Sequence, residues 1–182
     1  MYIGDFVAGK ASGTGTYYHT DGAKYVGGWL EDEQHGCGVE TWTDGARYEG
    51  SYSNGHKNGM GQFSWSDGSK FNGEFEDNDI HGTGTYTWAD GRTYSGTWHE
   101  NKMHGAGVFN WPDGRKYVGN YQSDQKHGQG KFYWPDGKKY SGGWKNGKQH
   151  GVGKYTTGHG KKYKNTWNEG KRDRALDVAC HK

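Results

Sequence analysis

Residues 25–45 read YVGGWLEDEQHGCGVETWTDG, and this stretch decides the fold. Tyr25, Gly27 and Trp29 alternate with Val26 and Gly28, the period of two that sends successive side chains to opposite faces of a strand. In the next copy of the pattern Gly59, Gly61, Phe63 and Trp65 share one face, and Met60, Gln62 and Ser64 share the other. Asp44-Gly45 is a tight-turn signal, because glycine takes positive φ without steric cost and aspartate tolerates it. The connection LEDEQ ahead of His35 is expected to be the longer, polar loop. Each such stretch is therefore predicted to be a β-hairpin. Glycine on the ring-bearing face predicts a recess into which an aromatic from a neighbouring strand lies flat.

The pattern returns every 23 residues without insertion or deletion, starting at Tyr2, Tyr25, Tyr48, Phe71, Tyr94, Tyr117, Tyr140 and Tyr163. A second signature, HGxG, stands at His35, His81, His104, His127 and His150, with Ser12 and Asn58 in the histidine place twice. Asp-Gly pairs run from Asp21-Gly22 to Asp136-Gly137, and His159-Gly160 is the last variant. Seven full units and one truncated unit fill the chain. No unit buries its apolar face alone, so neighbours must stack. The expected fold is all-β: an elongated, single-layer antiparallel meander of 23-residue hairpins. At a strand spacing of about 4.8 Å it would be a rod about 70 Å long. Residues 1–167 form the predicted array and 168–182 a C-terminal cap or tail.

Composition fits a fold built on rings. Leu, Ile, Val and Phe make up only 17 of 182 residues, a share at which disorder is normally expected. Yet 29 residues are aromatic and the formal net charge is +2, whereas disordered chains have few aromatics and strong charge. These proportions exclude a Leu-rich helical bundle and a doubly wound enzyme. The 35 glycines follow no three-residue period, which excludes a collagen. No apolar run approaches the ~18 residues of a membrane-spanning helix, and no signal-peptide core follows Met1. Cys37 and Cys180 are the two cysteines and differ in context, so a reducing compartment is expected.

The combination YxGxW…HGxG…DG at this spacing resembles the MORN (membrane occupation and recognition nexus) repeat from residue 2 to about residue 167. The resemblance implies a non-enzymatic repeat scaffold that self-associates and organises cytoskeletal or membrane-linked assemblies. It also implies a cytoplasmic place, on the cytoskeleton or peripheral to the cytoplasmic face of a membrane. Two alternatives stay open: a module that binds phosphoinositide or other anionic phospholipid, and the targeting segment of a larger enzyme. The last unit departs from the pattern, with Asn165 for glycine and with Arg174 and Leu176 where HGxG has glycines.

Few residues point to chemistry. Histidines one repeat apart would stand about 10 Å from each other across two strand spacings, too far to share an ion whose ligands lie near 2 Å. Each histidine is expected to lock its own loop. One carboxylate per Asp-Gly turn is too few oxygens for calcium. No nucleophile elbow, phosphate loop or zinc-protease motif occurs, and no catalytic residue is assigned. Nucleic acid is not an expected partner, since most rings lie on the face to be buried and the charge is not strongly basic.

Charge is unevenly placed. Residues 1–130 hold 10 Lys and Arg against 17 Asp and Glu, while residues 131–174 hold 12 against 3. The basic part is expected to meet an acidic partner, an anionic bilayer or an acidic protein, through Lys138, Lys139, Lys161, Lys162, Lys164, Lys171 and Arg172. The alternative is that these charges only solubilise that end.

The two ends invite pairing. Met1 stands one residue before the first tyrosine, so the first strand is expected either to continue a longer array or to pair through its edge. After Trp167 the period dissolves, and Ala175, Leu176, Val178 and Ala179 form an apolar segment. A two-fold homodimer through the C-terminal hairpins is expected, as the commonest closed assembly. A two-fold axis there would gather Cys180 and His181 from both copies into a Cys₂His₂ set suited to structural zinc, with His159 able to replace His181. The alternative is a frayed tail with an ordinary cysteine.

Overall fold

The computed structural model describes residues 1–172. Among them every regular element is a strand and none is a helix. The first strands of the hairpins are β1 Tyr2–Val7, β3 Lys24–Leu30, β5 Arg47–Ser53, β7 Lys70–Glu76, β9 Thr93–His99, β11 Lys116–Gln122, β13 Lys139–Lys145 and β15 Lys162–Asn168. The second strands are β2 Lys10–Tyr18, β4 Glu33–Thr41, β6 His56–Ser64, β8 Asp79–Thr87, β10 Lys102–Asn110, β12 Gln125–Tyr133, β14 Lys148–Thr156 and β16 Lys171–Arg172. They pair in strict chain order in one antiparallel meander of 16 strands. The meander divides into two compact units, Met1–Ala89 with Trp98–Asn101, and Asp90–Thr97 with the described residues from Lys102 onward.

The hairpins stand as expected, but their connections are the reverse of the expected ones. The tight turn is the stretch read as a loop: β3 and β4 are joined by Glu31-Asp32 alone, with φ +50° and +74°. Asn54-Gly55, Asp77-Asn78, Ser123-Asp124 and Asn146-Gly147 repeat this pair of positive φ angles, the mark of a type I′ turn whose twist suits a hairpin. Asp44-Gly45 lies instead inside the five residues 42–46 that link one hairpin to the next. There the Trp42 N–H donates to the Ala46 carbonyl at 3.0 Å, and the Gly45 N–H returns to the Trp42 carbonyl at 3.0 Å. The Asp44 carboxylate accepts from the Ala46 N–H at 2.9 Å, so only Gly45 of the pair needs positive φ. An aspartate bonded to its own backbone two residues on builds an Asx turn and not a hairpin turn.

Rings on glycines form the core of each unit. In the first unit Tyr25, Tyr48 and Phe71 are 0% exposed, as are Tyr94, Tyr117 and Tyr140 in the second. A Cβ on Gly27 would stand 2.5 Å from the Tyr25 hydroxyl, and one on Gly38, across the hairpin, would overlap the Tyr25 ring. Each flat ring meets upright rings from its own and the next hairpin. Tyr48 stands edge-on to Tyr52 at 5.3 Å and to Phe75 at 5.1 Å, and Tyr117 to Tyr121 at 5.2 Å and Trp144 at 5.2 Å. Edge-to-face pairs of this kind contribute about 0.5–1.5 kcal/mol each beyond area burial.

The hydroxyls explain why tyrosine leads most hairpins. The register slips between Gly50 and Tyr52, leaving Ser51 as a bulge, and the Tyr48 hydroxyl donates to the Ser51 carbonyl at 3.0 Å. Tyr25 does the same to Gly28 at 3.0 Å and Tyr117 to Asn120 at 3.0 Å. A carbonyl freed by a bulge is thus satisfied inside the layer. In the last hairpin Asn165 replaces the recess glycine, is 4% exposed, and its buried Oδ1 meets no partner among the described residues.

Candidate partner-binding faces

Two surfaces carry the charge and the half-exposed rings. On the face away from the buried tyrosines, register aligns lysines that the chain keeps apart. Directly paired residues run Lys131–Ser141–Lys154–Lys164 from β12 to β15, and two residues along run Tyr133–Lys139–Thr156–Lys162. These residues alternate with Phe132, Tyr140 and Tyr155 and so point away from the rings. An open concavity of about 470 Å³ is lined by Ser141, Val152, Lys154, Lys162 and Lys164.

The equivalent row in the first unit is Thr16–Val26–Val39–Glu49–Gln62–Asn72. Glu49 is its one charge, paired with Arg47 at 2.6 Å. The basic character of β12–β15 is therefore specific to those strands and does not come from the repeat.

The sequence-based lysines separate into groups. Lys139, Lys162 and Lys164 lie on the basic face, with the Lys139 ammonium 5.0 Å from the Tyr133 ring centre. Lys138 sits in the loop after β12, paired with Asp136 at 2.7 Å; this pair raises the Lys138 pKa and lowers that of Asp136. Lys161 lies in the loop after β14, 5.2 Å from the Tyr163 ring centre. Lys171 and Arg172 are exposed on β16. Lys131 and Lys154 complete the face and are absent from the expected set. Their signal was their spacing, 23 residues apart at the third place after HG.

The opposite surface is a track of rings over the buried tyrosines. In the first unit Trp42 stacks on Phe63 at 5.3 Å, Phe63 lies against Trp65 at 4.5 Å, and Trp65 meets Tyr86 at 5.0 Å. In the second unit Phe109, Trp111, Phe132 and Trp134 continue in the same way at 4.3, 5.5 and 4.5 Å. Two lysines enter this track. Lys57 lies within 5.0–5.7 Å of the Trp42, Tyr48 and Tyr52 ring centres and pairs with Glu40 at 3.0 Å. Burial, joined by the Glu40 charge and the hydrogen bond to it, pushes the Tyr52 phenol pKa far up. Lys126 lies among Trp111, Tyr117, Phe132 and Trp144, and burial, with Arg115 nearby, lowers its ammonium pKa.

The histidines do not act as one ligand set. His81 meets Glu76 at 3.4 Å, and His150 Nδ1 accepts from the Glu169 N–H at 3.4 Å, so its bond reaches the next hairpin and not its own loop. Among the described residues no three His, Cys, Asp or Glu side chains converge as a metal site. His159 is exposed in the loop between β14 and β15, while Cys180 and His181 lie outside the described residues. Cys37 is exposed with a free thiol. No helix among the described residues is long and apolar enough to cross a membrane.

The MORN repeat profile matches residues 2–24, 25–47, 48–70, 71–91, 94–114, 117–139 and 140–158. No curated protein matches the chain. Among solved structures, the TCP domain of SAS-4 (dCPAP) from Drosophila melanogaster, in complex with a proline-rich motif of Ana2 (dSTIL), is similar at 10% identity. That match covers 92% of this chain and 89% of that one, with a TM-score of 0.54. The G-box domain of the microcephaly protein CPAP aligns over 85% of this chain and 87% of that one at 17% identity, with a TM-score of 0.43.

Proposed function

We propose that this chain, which belongs to the MORN repeat family, is a non-enzymatic scaffold that holds partner proteins on its ring track. Repetition carries this conclusion. Hairpins of one period present a half-exposed tryptophan against a Phe or Tyr ring again and again, at Phe63-Trp65, Tyr86-Trp88, Phe109-Trp111 and Phe132-Trp134, with Phe109 and Phe132 themselves buried. A ladder of equivalent sites suits an extended segment of another protein better than a small substrate. Aromatic-lined grooves are a recurring dock for proline-rich segments. A domain of the same fold, the SAS-4 TCP domain, has such a motif as its partner, which supports a peptide occupant here. The scaffold is placed on cytoskeletal or peripheral membrane assemblies, and it self-associates through its C-terminal hairpins. Light scattering over a range of concentrations tests the last point: a dimer is expected, and a monomer throughout would remove it.

A second reading adds anionic phospholipid, and one observation favours it. Lys131, Lys154 and Lys164 share a row, with Lys139 and Lys162 beside them, on the face away from the ring track. Each lysine near an anionic bilayer contributes about 1 kcal/mol. The two faces would then hold a partner on one side and a membrane on the other. Sedimentation with phosphatidylcholine vesicles, with and without phosphatidylserine, tests it. Binding only to the anionic vesicles, weakened by salt, is the expected result; none at low salt would leave the row as a solvated face.

A further inference from the structure

One slot on the ring track recurs every 23 residues and is filled by Gln34, Lys57, Ile80, Met103, Lys126 and Gln149. Two occupants are cations, and among the described residues only one has its anion. Beside Lys57 stands Glu40 at 3.0 Å, which also accepts from the Tyr52 hydroxyl at 3.0 Å. Glu40 occupies a place where later hairpins put a ring, as at Phe63 and Tyr86. The residue in the same relation to Lys126, 17 positions earlier, is Phe109.

Lys126 therefore sits in an apolar cage. Its Nζ is 5.3–5.5 Å from the centres of four rings, and among the described residues no carboxylate lies within 4.0 Å of it. Cation–π contacts offset only part of the cost of desolvating an ammonium. Asp124, at the rim, accepts from the Met103 N–H at 2.9 Å. The Arg115 guanidinium lies over Trp111, with its Nε held by Asp113 at 2.7 Å. Beside Lys126 an open concavity of about 370 Å³ is lined by Phe109, Trp111 and Tyr121, with Arg92, Asp124 and Gln125 also on its wall.

We propose that this concavity takes an acidic side chain of an extended partner segment, whose carboxylate meets Lys126 as Glu40 meets Lys57. Apolar or proline residues of the segment cover Trp111, which lies against the buried Phe109. The inference rests on the ring track being a protein-docking surface, and it adds the chemistry the partner must carry. A half-buried lysine that met no anion would be a poor choice for stability, and Met103 shows that an uncharged occupant fits the slot. The cation fits a binding role better than a folding one.

Selection of random dodecapeptides displayed on phage against the full chain tests this. Selected peptides should share an Asp or Glu beside apolar or proline residues. Lys126→Met should weaken them at least about tenfold, the scale of one charge-assisted hydrogen bond, while Lys57→Met leaves them unchanged. Changing the shared acid to its amide should cost as much, and the two changes together no more than either alone. The melting temperature of Lys126→Met should be equal or higher, since Met103 fills the equivalent slot. Peptides that bind Lys126→Met as tightly as the natural chain overturn the acidic site and leave ring-track docking standing. Failure to select any peptide overturns both.

Discussion

The ring of Tyr25 fills the space that a side chain on Gly38 would need. Gly38 pairs with Gly27 in the register of β3 and β4, so one tyrosine lies over a glycine of each strand. The same relation joins Tyr48 to Gly61, Tyr117 to Gly130 and Tyr140 to Gly153. Each hairpin thereby builds a flat floor on which the next hairpin's upright ring can stand.

Gly38→Ala and Gly130→Ala should each cost about 1–3 kcal/mol, because the methyl displaces a packed ring. Gly147→Ala is a control of a different kind. Its φ is +80° and nothing lies within 4 Å of the added carbon, so only backbone strain is paid, about 1 kcal/mol. Urea midpoints measure the three, and equal losses would refute the recess.

Phe71 leads the fourth hairpin without a hydroxyl, so nothing equivalent to the Tyr48–Ser51 bond reaches the Glu74 carbonyl at its bulge. Phe71→Tyr should stabilise by about 0.5–1.5 kcal/mol, and Tyr117→Phe should lose a similar amount. Thermal melts of the two variants give opposite shifts if the phenol satisfies the bulge.

Burial pushes the Tyr25, Tyr48 and Tyr140 phenols up to about 12, with Glu40 adding to the rise at Tyr25. A phenol whose pKa is higher folded than unfolded binds its proton more tightly in the native state. That stability is complete below the unfolded value near 10 and is lost as pH rises through the folded value. The chain should therefore unfold between about pH 10 and 12. Circular dichroism should show the sheet signal collapsing together with the phenolate absorbance. Ionisation of all the tyrosines with the sheet intact would contradict this.

Reversal of Lys131, Lys154 and Lys164 to Glu should abolish sedimentation with phosphatidylserine vesicles. Reversal of Lys138 and Lys161 should change it little, since Asp136 already neutralises the first and the second stands in a loop beside Tyr163. Equal effects from both sets would show that only total charge matters.

Ser123 takes φ +46° at the first place of its turn, a strained angle for serine. Asparagine adopts it more easily, as Asn54 and Asn146 do in their turns at +49°. Ser123→Asn should raise stability by about 0.5–1 kcal/mol by relieving that strain. The urea midpoint should rise with an unchanged slope.

Period, hairpin number, strand faces and the glycine recess were legible in the chain, because each depends on residues only a few places apart. The tight turns were partly legible too: Asn54-Gly55 and Asn146-Gly147 are plain hairpin signals, overshadowed by the more numerous Asp-Gly pairs. Only the folded chain shows Asp44 turning its carboxylate back to Ala46, which makes Asp-Gly part of a five-residue link. The tertiary structure alone decided the charges. Lys131, Lys154 and Lys164 become neighbours through pairing register, and among the described residues Lys126 has no anion because Phe109 stands where Glu40 stands beside Lys57. Local alternation sets which face a side chain takes; what it meets there depends on strands that approach only after folding.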